Sequence, residues 1–480
     1  MIRIATQCRA VAFTSLIAAS LHAQAPGSVA SNPEVLAQQR LFSAWLEGQI
    51  MYRDLPGIVV GVVHGDSLVW AKGFGYADTK LKKPMTPDTK FRMASHSKLF
   101  TATAIMQLRE QNKVRLDDPV SKHLSWFKVK PAADDDGAVT VEQLLTHSSG
   151  LPREANAHWT TLEFPTAAEI RSLVADREAA FAPSVRWKYS NLAYTIAGMV
   201  VEQTSGLSWA EYVERNIFAP LGMTSSSVDR NVEGLAVGYS RRLPDGGRPI
   251  MPFTDARGMG SATGITSTVG DMAKFVSAQF RKGPRGGRQI LASGSLREMH
   301  RIRSLENNWT SGTGIGFGVT RVGDRTWVGH GGGYPGYTTQ TWIDLDYRVG
   351  VIVLTNTNDS DPGAIARQLM NSVGNAVGKA AAEKPKMVAW DPSWARFAGY
   401  YRNSWGDNRI VLLNEKLVLM TPNAGNLDNV TTLEPLGGGR FRVVALTGGG
   451  AVGEVVRFVE ENGRVTRMYV GDGYSERIGN

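Results

Sequence analysis

The chain has 480 residues, of which 42% are apolar and 20% are charged. This composition is typical of a protein that buries a core and excludes an extended disordered chain. The formal net charge of +9 is spread along the sequence without a lysine/arginine block, which argues against a nucleic-acid partner.

The amino-terminal 25 residues have the pattern of a secretory signal peptide. Arg3 and Arg9 precede an apolar run of about twelve residues, and small residues follow at Ala23 and Ala25. That run is shorter than the ~20 residues of a spanning helix. We therefore predict a signal peptide over residues 1–23 and a periplasmic or extracellular protein; an uncleaved anchor is the alternative. Cleavage would remove Cys8, the only cysteine. The mature chain is therefore expected to have no disulfide, no catalytic thiolate and no cysteine-based metal site.

The next stretch predicts a helix and a β-hairpin. Asn32 and Pro33 suit the cap and first position of a helix that runs to about Tyr52. Residues 58–63 and 68–75 are rich in β-formers and flank a Gly–Asp turn, which favours two paired strands.

Ser95 and Lys98 follow as the first candidate site. Apolar residues after them recur with helical spacing, so the serine and the lysine share one face of a first turn. A helix N-terminus adds partial positive charge and free N–H groups. The pair is a candidate nucleophile with an amine partner. The alternative is that Ser95 or Ser97 only caps the helix and that Lys98 is solvated.

The middle of the chain is predicted to be helical and the next part to return to strands. Capping boxes begin at Thr140, Thr166 and Ser208. Strands from both ends must share one sheet for their apolar faces to be covered. Residues 30–380 are therefore predicted to form an antiparallel α+β domain with a cleft beneath the helical block. The other predicted helices are 191–205, 268–280 and 363–377, and the strands are 317–322, 326–329, 337–345 and 349–354.

The carboxyl-terminal part has a different pattern. After a polar linker over residues 381–391, eight short alternating runs are separated by Gly, Asn and Asp turns within residues 392–480. This spacing predicts a small antiparallel up-and-down barrel. Such a barrel is a structural cap or a ligand-binding module.

Two further polar clusters fall where the cleft would be lined. Tyr189 and Asn191 lead into a helix, and His330 precedes the run Gly331, Gly332 and Gly333. Acyl transfer needs a nucleophile, a base and oxyanion donors. Desolvation would lower the pKa of Lys98, and nearby cations would help Tyr189 to ionise. The N–H groups of Ser95 and Gly333 would be the donors.

Each of these residues also has a purely structural interpretation. Tyr189 is then an ordinary buried tyrosine, Asn191 a helix cap and His330 a core or surface histidine. The glycines are then a simple bulge. The joint occurrence of three motifs in this order favours a catalytic site over these structural interpretations.

The set Ser95-x-x-Lys98, Tyr189-x-Asn191 and His330-x-Gly332 resembles the three motifs of the serine β-lactamase and penicillin-binding-protein superfamily, in its class C-like branch. Residues 144–152, 218–223 and 264–268 are also similar to that family. The resemblance implies an antiparallel sheet with helices on both faces plus a helical subdomain. It also implies a serine acyl-enzyme without metal or organic cofactor and a lipocalin-like C-terminal domain. Ser95 would be the nucleophile, Lys98 and Tyr189 the proton-transfer groups, and Asn191 and His330 would orient the substrate.

Two departures from that family pattern bear on the substrate. His330 stands where most such β-lactamases have lysine, and Gly331 and Gly333 offer no hydroxyl to a substrate carboxylate. We therefore expect hydrolysis of an ester or amide in a small-molecule or peptide substrate, as in esterases and D-amino-acid peptidases or amidases. The alternatives are a class C-like β-lactamase, a DD-carboxypeptidase, or a catalytically silent penicillin- or ligand-binding sensor. The oligomeric state is left open.

Overall fold

A computed structural model describes residues 29–133, 137–228, 231–280, 289–306, 308–382, 388–422, 430–444 and 451–479. The chain divides into two compact units, and the division falls after Ala382. The predicted signal peptide, residues 1–23, lies outside the described residues, as does the middle of the predicted linker. Across the described ranges, no helix is both long and apolar enough to span a bilayer.

The first unit is built on a nine-stranded sheet. The strands of this unit are β1 (Gly57–His64), β2 (Ser67–Asp78), β3 (Lys83–Pro84), β4 (Phe91–Arg92), β5 (Ser227–Val228), β6 (Ile265–Ser267), β7 (Ser304–Leu305), β8 (Ser311–Thr313), β9 (Gly318–Val322), β10 (Arg325–Tyr334), β11 (Tyr337–Asp344) and β12 (Val349–Thr355). In the large sheet they occur in the order β3-β2-β1-β12-β11-β10-β9-β8-β7, and a separate small sheet has the order β4-β6-β5.

The two ends of this unit meet at the centre of the large sheet. Strand β1 pairs antiparallel with β2 on one side and with β12 on the other, with Val60 opposite Val353. This confirms the prediction that amino- and carboxyl-terminal strands share one antiparallel sheet.

Helices cover both faces of the sheet. Side chains of β1 alternate between two apolar clusters: Val59 and Val63 join one, and Val60 and Val62 join the other, as the two-residue period of a strand requires. The helices are α1 (Pro33–Arg53), α2 (Ser97–Glu110), α3 (Val120–His123), α4 (Val141–Leu145), α5 (His158–Thr161), α6 (Ala167–Ala175), α7 (Asn191–Ser205), α8 (Trp209–Val213), α9 (Ala219–Leu221), α10 (Gly260–Thr263), α11 (Val269–Gln279), α12 (Ser293–Met299), α13 (Pro362–Leu369) and α14 (Asn375–Ala381), with 3₁₀ turns at Val29–Ser31, Ala94–His96 and Arg257–Met259.

Two predicted elements have different bounds in the structure. The helix predicted over residues 363–377 is divided into α13 and α14 by a π-helical turn, Met370–Gly374, in which one extra residue widens the helix. Strand β10 continues to Tyr334 rather than ending at Gly329. Glycine has little strand propensity of its own, so pairing with β11 holds this segment extended.

The second unit is a closed antiparallel barrel, as predicted. Its interior is filled by apolar side chains, among them Trp394 and a Phe397–Phe458 pair whose ring centroids lie 4.2 Å apart. One of the eight predicted runs covers residues 440–445, and its last residue, Ala445, lies outside the described residues. A 3₁₀ turn (Pro392–Phe397) precedes β13 (Gly399–Asn403), β14 (Gly406–Leu413), β15 (Lys416–Met420), β16 (Thr431–Gly437), β17 (Arg440–Val444), β18 (Val455–Glu461), β19 (Arg464–Val470) and β20 (Gly473–Gly479).

Candidate active site

Ser95 lies in the 3₁₀ turn directly before α2 rather than inside the first turn of that helix. The preceding residue, Ala94, has a left-handed backbone with φ +52°, which costs a non-glycine residue about 1–2 kcal/mol. Neighbouring contacts fix this conformation, because Ser97 Oγ donates to Ala94 O at 2.8 Å and accepts from Ile265 N at 3.0 Å. Ser95 is only partly buried, whereas Ser97 is fully buried.

Two predicted proton-transfer groups converge on the Ser95 hydroxyl. Lys98 Nζ donates to Ser95 Oγ at 3.0 Å, and Tyr189 OH donates to it at 2.8 Å. Lys98 is fully buried and also donates to Asn191 Oδ1 at 2.7 Å and to Ala262 O at 2.9 Å. The structure thus brings together Ser95, Lys98, Tyr189 and Asn191.

Burial lowers the pKa of Lys98 to about 7, with Glu154 opposing the shift and Arg153 adding to it. An ordinary lysine has a pKa near 10.4. A substantial fraction of the amine is therefore neutral near pH 7, which is the form that accepts a proton.

The expectation that Tyr189 ionises more easily is wrong. Burial raises the pKa of Tyr189 to about 12, although Lys98 Nζ lies 5.0 Å and the Arg153 guanidinium 5.3 Å from its ring centroid. Desolvation of a phenolate outweighs these two cations. Tyr189 is a neutral phenol that holds its proton on the hydrogen bond to Ser95.

The glycine run lies against the turn that carries Ser95. A Cβ added to Gly332 would come within 2.5 Å of Met93 O and 3.1 Å of Ala94 Cβ. Strand β9 pairs with β10 only as far as Gly329, so within the described residues the following segment has a strand partner on one side alone.

These glycines give a matched pair of stability tests. We expect Gly332→Ala to lower the free energy of unfolding by about 1–3 kcal/mol, because the new methyl group meets backbone atoms that cannot rotate away. We expect Gly333→Ala to leave it within about 0.5 kcal/mol of wild type, since nothing lies within 4 Å of that Cβ position. Urea unfolding of both variants measures the difference; equal stabilities would contradict the close approach.

His330 lies beside the tyrosine but supplies no positive charge. Its ring centroid is 6.4 Å from that of Tyr189 and 6.2 Å from that of His96. Burial, and then the charge of Lys98, lowers the pKa of His330 to about 4. The imidazole is neutral at pH 7, unlike a lysine at the same position.

Three residues of the site were not predicted as functional: His147, Arg153 and Glu154. The His147 ring lies 4.3 Å from the Tyr189 ring, centroid to centroid, and Glu154 Oε1 accepts from Asn191 Nδ2 at 2.7 Å. His147 lies within the family-like stretch 144–152, which was the available signal, whereas Arg153 and Glu154 follow that stretch in a loop that no periodic pattern describes. Within the described ranges, no group of three His, Cys, Asp or Glu side chains is placed to hold a metal ion.

Comparisons with known proteins give the family and the fold of the chain. A model of the family described as "Beta-lactamase" matches residues 43–375. Penicillin-binding protein 4* of Bacillus subtilis is 26% identical over 76% of this chain and 83% of its own length. The octameric penicillin-binding protein homologue from Pyrococcus abyssi is similar in structure, with TM-score 0.64 and 25% identity over 91% of this chain and 99% of its own. The D-amino acid amidase from Ochrobactrum anthropi SV3 has TM-score 0.59 and 26% identity over 72% of this chain and 100% of its own.

Proposed function

Because the chain belongs to the beta-lactamase family and is a serine hydrolase, we propose that Ser95 is its nucleophile and that it cleaves an ester or amide bond through an acyl-enzyme. One observation carries this proposal. The Ser95 hydroxyl lies between a buried lysine with a lowered pKa and a neutral tyrosine, at 3.0 and 2.8 Å.

The chemistry follows from these contacts. Neutral Lys98 takes the Ser95 proton as Oγ bonds to the substrate carbonyl carbon. N–H groups of Ser95 and Gly333 stabilise the oxyanion. Tyr189 passes a proton to the leaving oxygen or nitrogen as its bond to carbon breaks, and the Lys98 ammonium passes the proton taken from Ser95 on to Tyr189, so both groups are neutral again. Neutral Lys98 then takes a proton from the water that attacks the acyl carbon, and it returns this proton to Ser95 Oγ as the ester bond of the acyl-enzyme breaks.

The third motif favours ester and amide substrates over β-lactams. Gly331 and Gly333 bring no hydroxyl, and His330 is neutral, so neither charge nor hydroxyl groups from this strand hold a substrate carboxylate. The similarity to a D-amino acid amidase supports the same choice. We therefore propose an esterase or a D-amino-acid amidase or peptidase.

One observation favours a second candidate. The Arg153 side chain is 64% exposed while its guanidinium lies over the Tyr189 ring, so a cation is available at the mouth of the site. A cation there suits the carboxylate of a β-lactam or of a D-Ala-D-Ala peptide. Class C-like β-lactamase or DD-carboxypeptidase activity is therefore the alternative.

Intact-mass analysis after treatment with a fluorophosphonate or a penicillin tests the nucleophile. A single adduct that maps to Ser95 is expected, and an adduct that persists in Ser95→Ala would overturn the assignment. Initial rates on p-nitrophenyl esters, D-amino-acid amides, nitrocefin and D-Ala-D-Ala peptides then separate the two candidates. Dominant nitrocefin or D-Ala-D-Ala turnover, abolished in Arg153→Leu, would favour the second.

The pH profile follows from the lowered pKa of Lys98. Since the base must be neutral, kcat/KM for an uncharged ester is expected to fall as pH decreases through about 7 and to reach a plateau above it. Hydrolysis of a p-nitrophenyl ester between pH 5 and 9 measures this. A rate that is flat through pH 6 would contradict a lysine base.

We also propose that the enzyme acts outside the cytoplasm, on the basis of the signal-like sequence of residues 1–23. N-terminal sequencing of protein expressed from the full-length gene tests this. A mature chain that begins at Gln24 is expected, and an intact Met1 in the purified product would contradict it.

A further inference from the structure

The side chain of Asn191 connects the lysine to a carboxylate. Its Oδ1 accepts from Lys98 Nζ at 2.7 Å, and its Nδ2 donates to Glu154 Oε1 at 2.7 Å. Arg153 Nε also donates to Glu154 Oε1 at 3.1 Å, and His158 Nε2 lies 3.2 Å from Oε2. The series of hydrogen bonds Ser95–Lys98–Asn191–Glu154 therefore ends at the Glu154 carboxylate, which Arg153 also contacts.

The donor and acceptor roles in this series of hydrogen bonds are not interchangeable. An ionised carboxylate only accepts hydrogen bonds, so the Asn191 amide must turn its NH₂ group to Glu154 and its oxygen to Lys98. Were the amide reversed, Nδ2 would donate to neutral Lys98. The nitrogen lone pair would then be occupied by that bond instead of being free for the Ser95 proton.

Glu154 is also the only acidic group among the charged and titratable neighbours that act on Lys98 in the described residues. Burial and Arg153 lower the pKa of Lys98 from its ordinary value, whereas Glu154 raises it. The three histidines around the site are neutral at pH 7, since burial lowers the pKa of each. The groups that face Lys98 are Glu154 and Arg153 from the loop before α5, His147 after α4, Tyr189 and Tyr194 at α7, His96 before α2 and His330 on β10.

We propose that Glu154 is a positioning residue, which fixes the amide of Asn191 so that the lone pair of Lys98 stays free for Ser95. This rests on the proposed function, because it assumes that Lys98 takes the Ser95 proton. Glu154 acts through Asn191 and touches no reacting atom.

Two variants distinguish the role of Glu154 as a hydrogen-bond acceptor from the effect of its negative charge. Glu154→Leu removes the acceptor, and kcat for a p-nitrophenyl ester is expected to fall roughly tenfold to a hundredfold with little change in KM. Glu154→Gln keeps an oxygen that Nδ2 can reach, so kcat stays close to wild type. Loss of the negative charge moves the acid limb of the pH profile to lower pH, because it removes the group that raises the pKa of Lys98.

A double-mutant cycle tests whether Glu154 acts through Asn191. In an Asn191→Ala background there is no amide to orient, so adding Glu154→Leu is expected to change kcat less than twofold. Glu163→Leu, an exposed carboxylate nearby in the chain, is the matched control and should behave as wild type. Thermal melts of all variants show whether the fold is retained.

Three results would overturn the proposal. Equal losses from Glu154→Leu with and without Asn191 would show an independent role. A loss confined to KM for amino-bearing substrates, with an unchanged pH profile for the ester, would make Glu154 a substrate contact. Wild-type protein that is not labelled at Ser95 by a fluorophosphonate would overturn the proposed function as well, so the two failures are distinguishable.

Discussion

Ser95→Ala is expected to reduce ester turnover by about 10⁴-fold or more, because the acyl-enzyme route is lost and only binding and oxyanion contacts remain. The fold should be unaffected. Lys98 Nζ and Tyr189 OH donate to Ser95 Oγ, and Lys98 keeps its bonds to Asn191 Oδ1 and Ala262 O when that hydroxyl is lost. Stopped-flow or plate-reader rates with p-nitrophenyl esters measure the loss.

Ser97→Ala is the matched control for this experiment. Ser97 Oγ is buried and joins Ala94 O to Ile265 N, so its removal leaves buried groups unsatisfied and lowers the free energy of unfolding by about 1–3 kcal/mol. Labelling by a fluorophosphonate should persist in Ser97→Ala and vanish in Ser95→Ala. Retained turnover in Ser95→Ala together with loss of turnover in Ser97→Ala would show that Ser97, and not Ser95, is the nucleophile.

Elements with strong local signals could be predicted from the sequence. The capping boxes at Thr140, Thr166 and Ser208 each form in the structure, because cap and helix satisfy one another within four residues. The apolar β1 and its turn determine a hairpin in the same local way. The barrel strands follow from alternating side chains and Gly/Asn/Asp turns.

Elements held by distant partners could not be predicted. Strand β4 has two residues and exists through its pairing of Phe91 with Ser267 and Arg92 with Thr266. The glycine part of β10 exists through β11. In neither case does the local sequence favour a strand, so pairing with a strand that is distant in sequence determines the conformation.

The same division holds for the site. Ser95 and Lys98 are three residues apart, so their contact followed from spacing, although Ser95 lies in the 3₁₀ turn before α2 and Lys98 in α2 itself. The direction of the pKa shift of Tyr189 could not be predicted, because it depends on how completely the folded protein excludes water from the phenol. The sequence shows only that Tyr189 stands between two polar residues, Lys188 and Ser190. Arg153 and Glu154 face the site through loop geometry, for which no periodic pattern exists.

Lys98→Met and Lys98→Arg are both expected to slow acylation by about 10²–10⁴-fold, the range attributed to a general base. Methionine has similar length but no amine, and arginine stays protonated under all conditions of interest. If the positive charge alone were sufficient, arginine would retain activity. Lys98→Met also leaves the buried acceptors Asn191 Oδ1 and Ala262 O without the donor that they share, so its free energy of unfolding is expected to fall by about 1–3 kcal/mol.

The pH profile identifies which lysine acts. Lys188 is a second lysine whose pKa is lowered by burial, but its Nζ donates to Leu151 O at 2.9 Å and it is absent from the hydrogen bonds to Ser95. Lys188→Met is therefore expected to keep the acid limb near pH 7, whereas the residual rate of Lys98→Met should lose it. An acid limb that survives in Lys98→Met and disappears in Lys188→Met would move the base to Lys188, because only the group that takes the Ser95 proton imposes its ionisation on the rate.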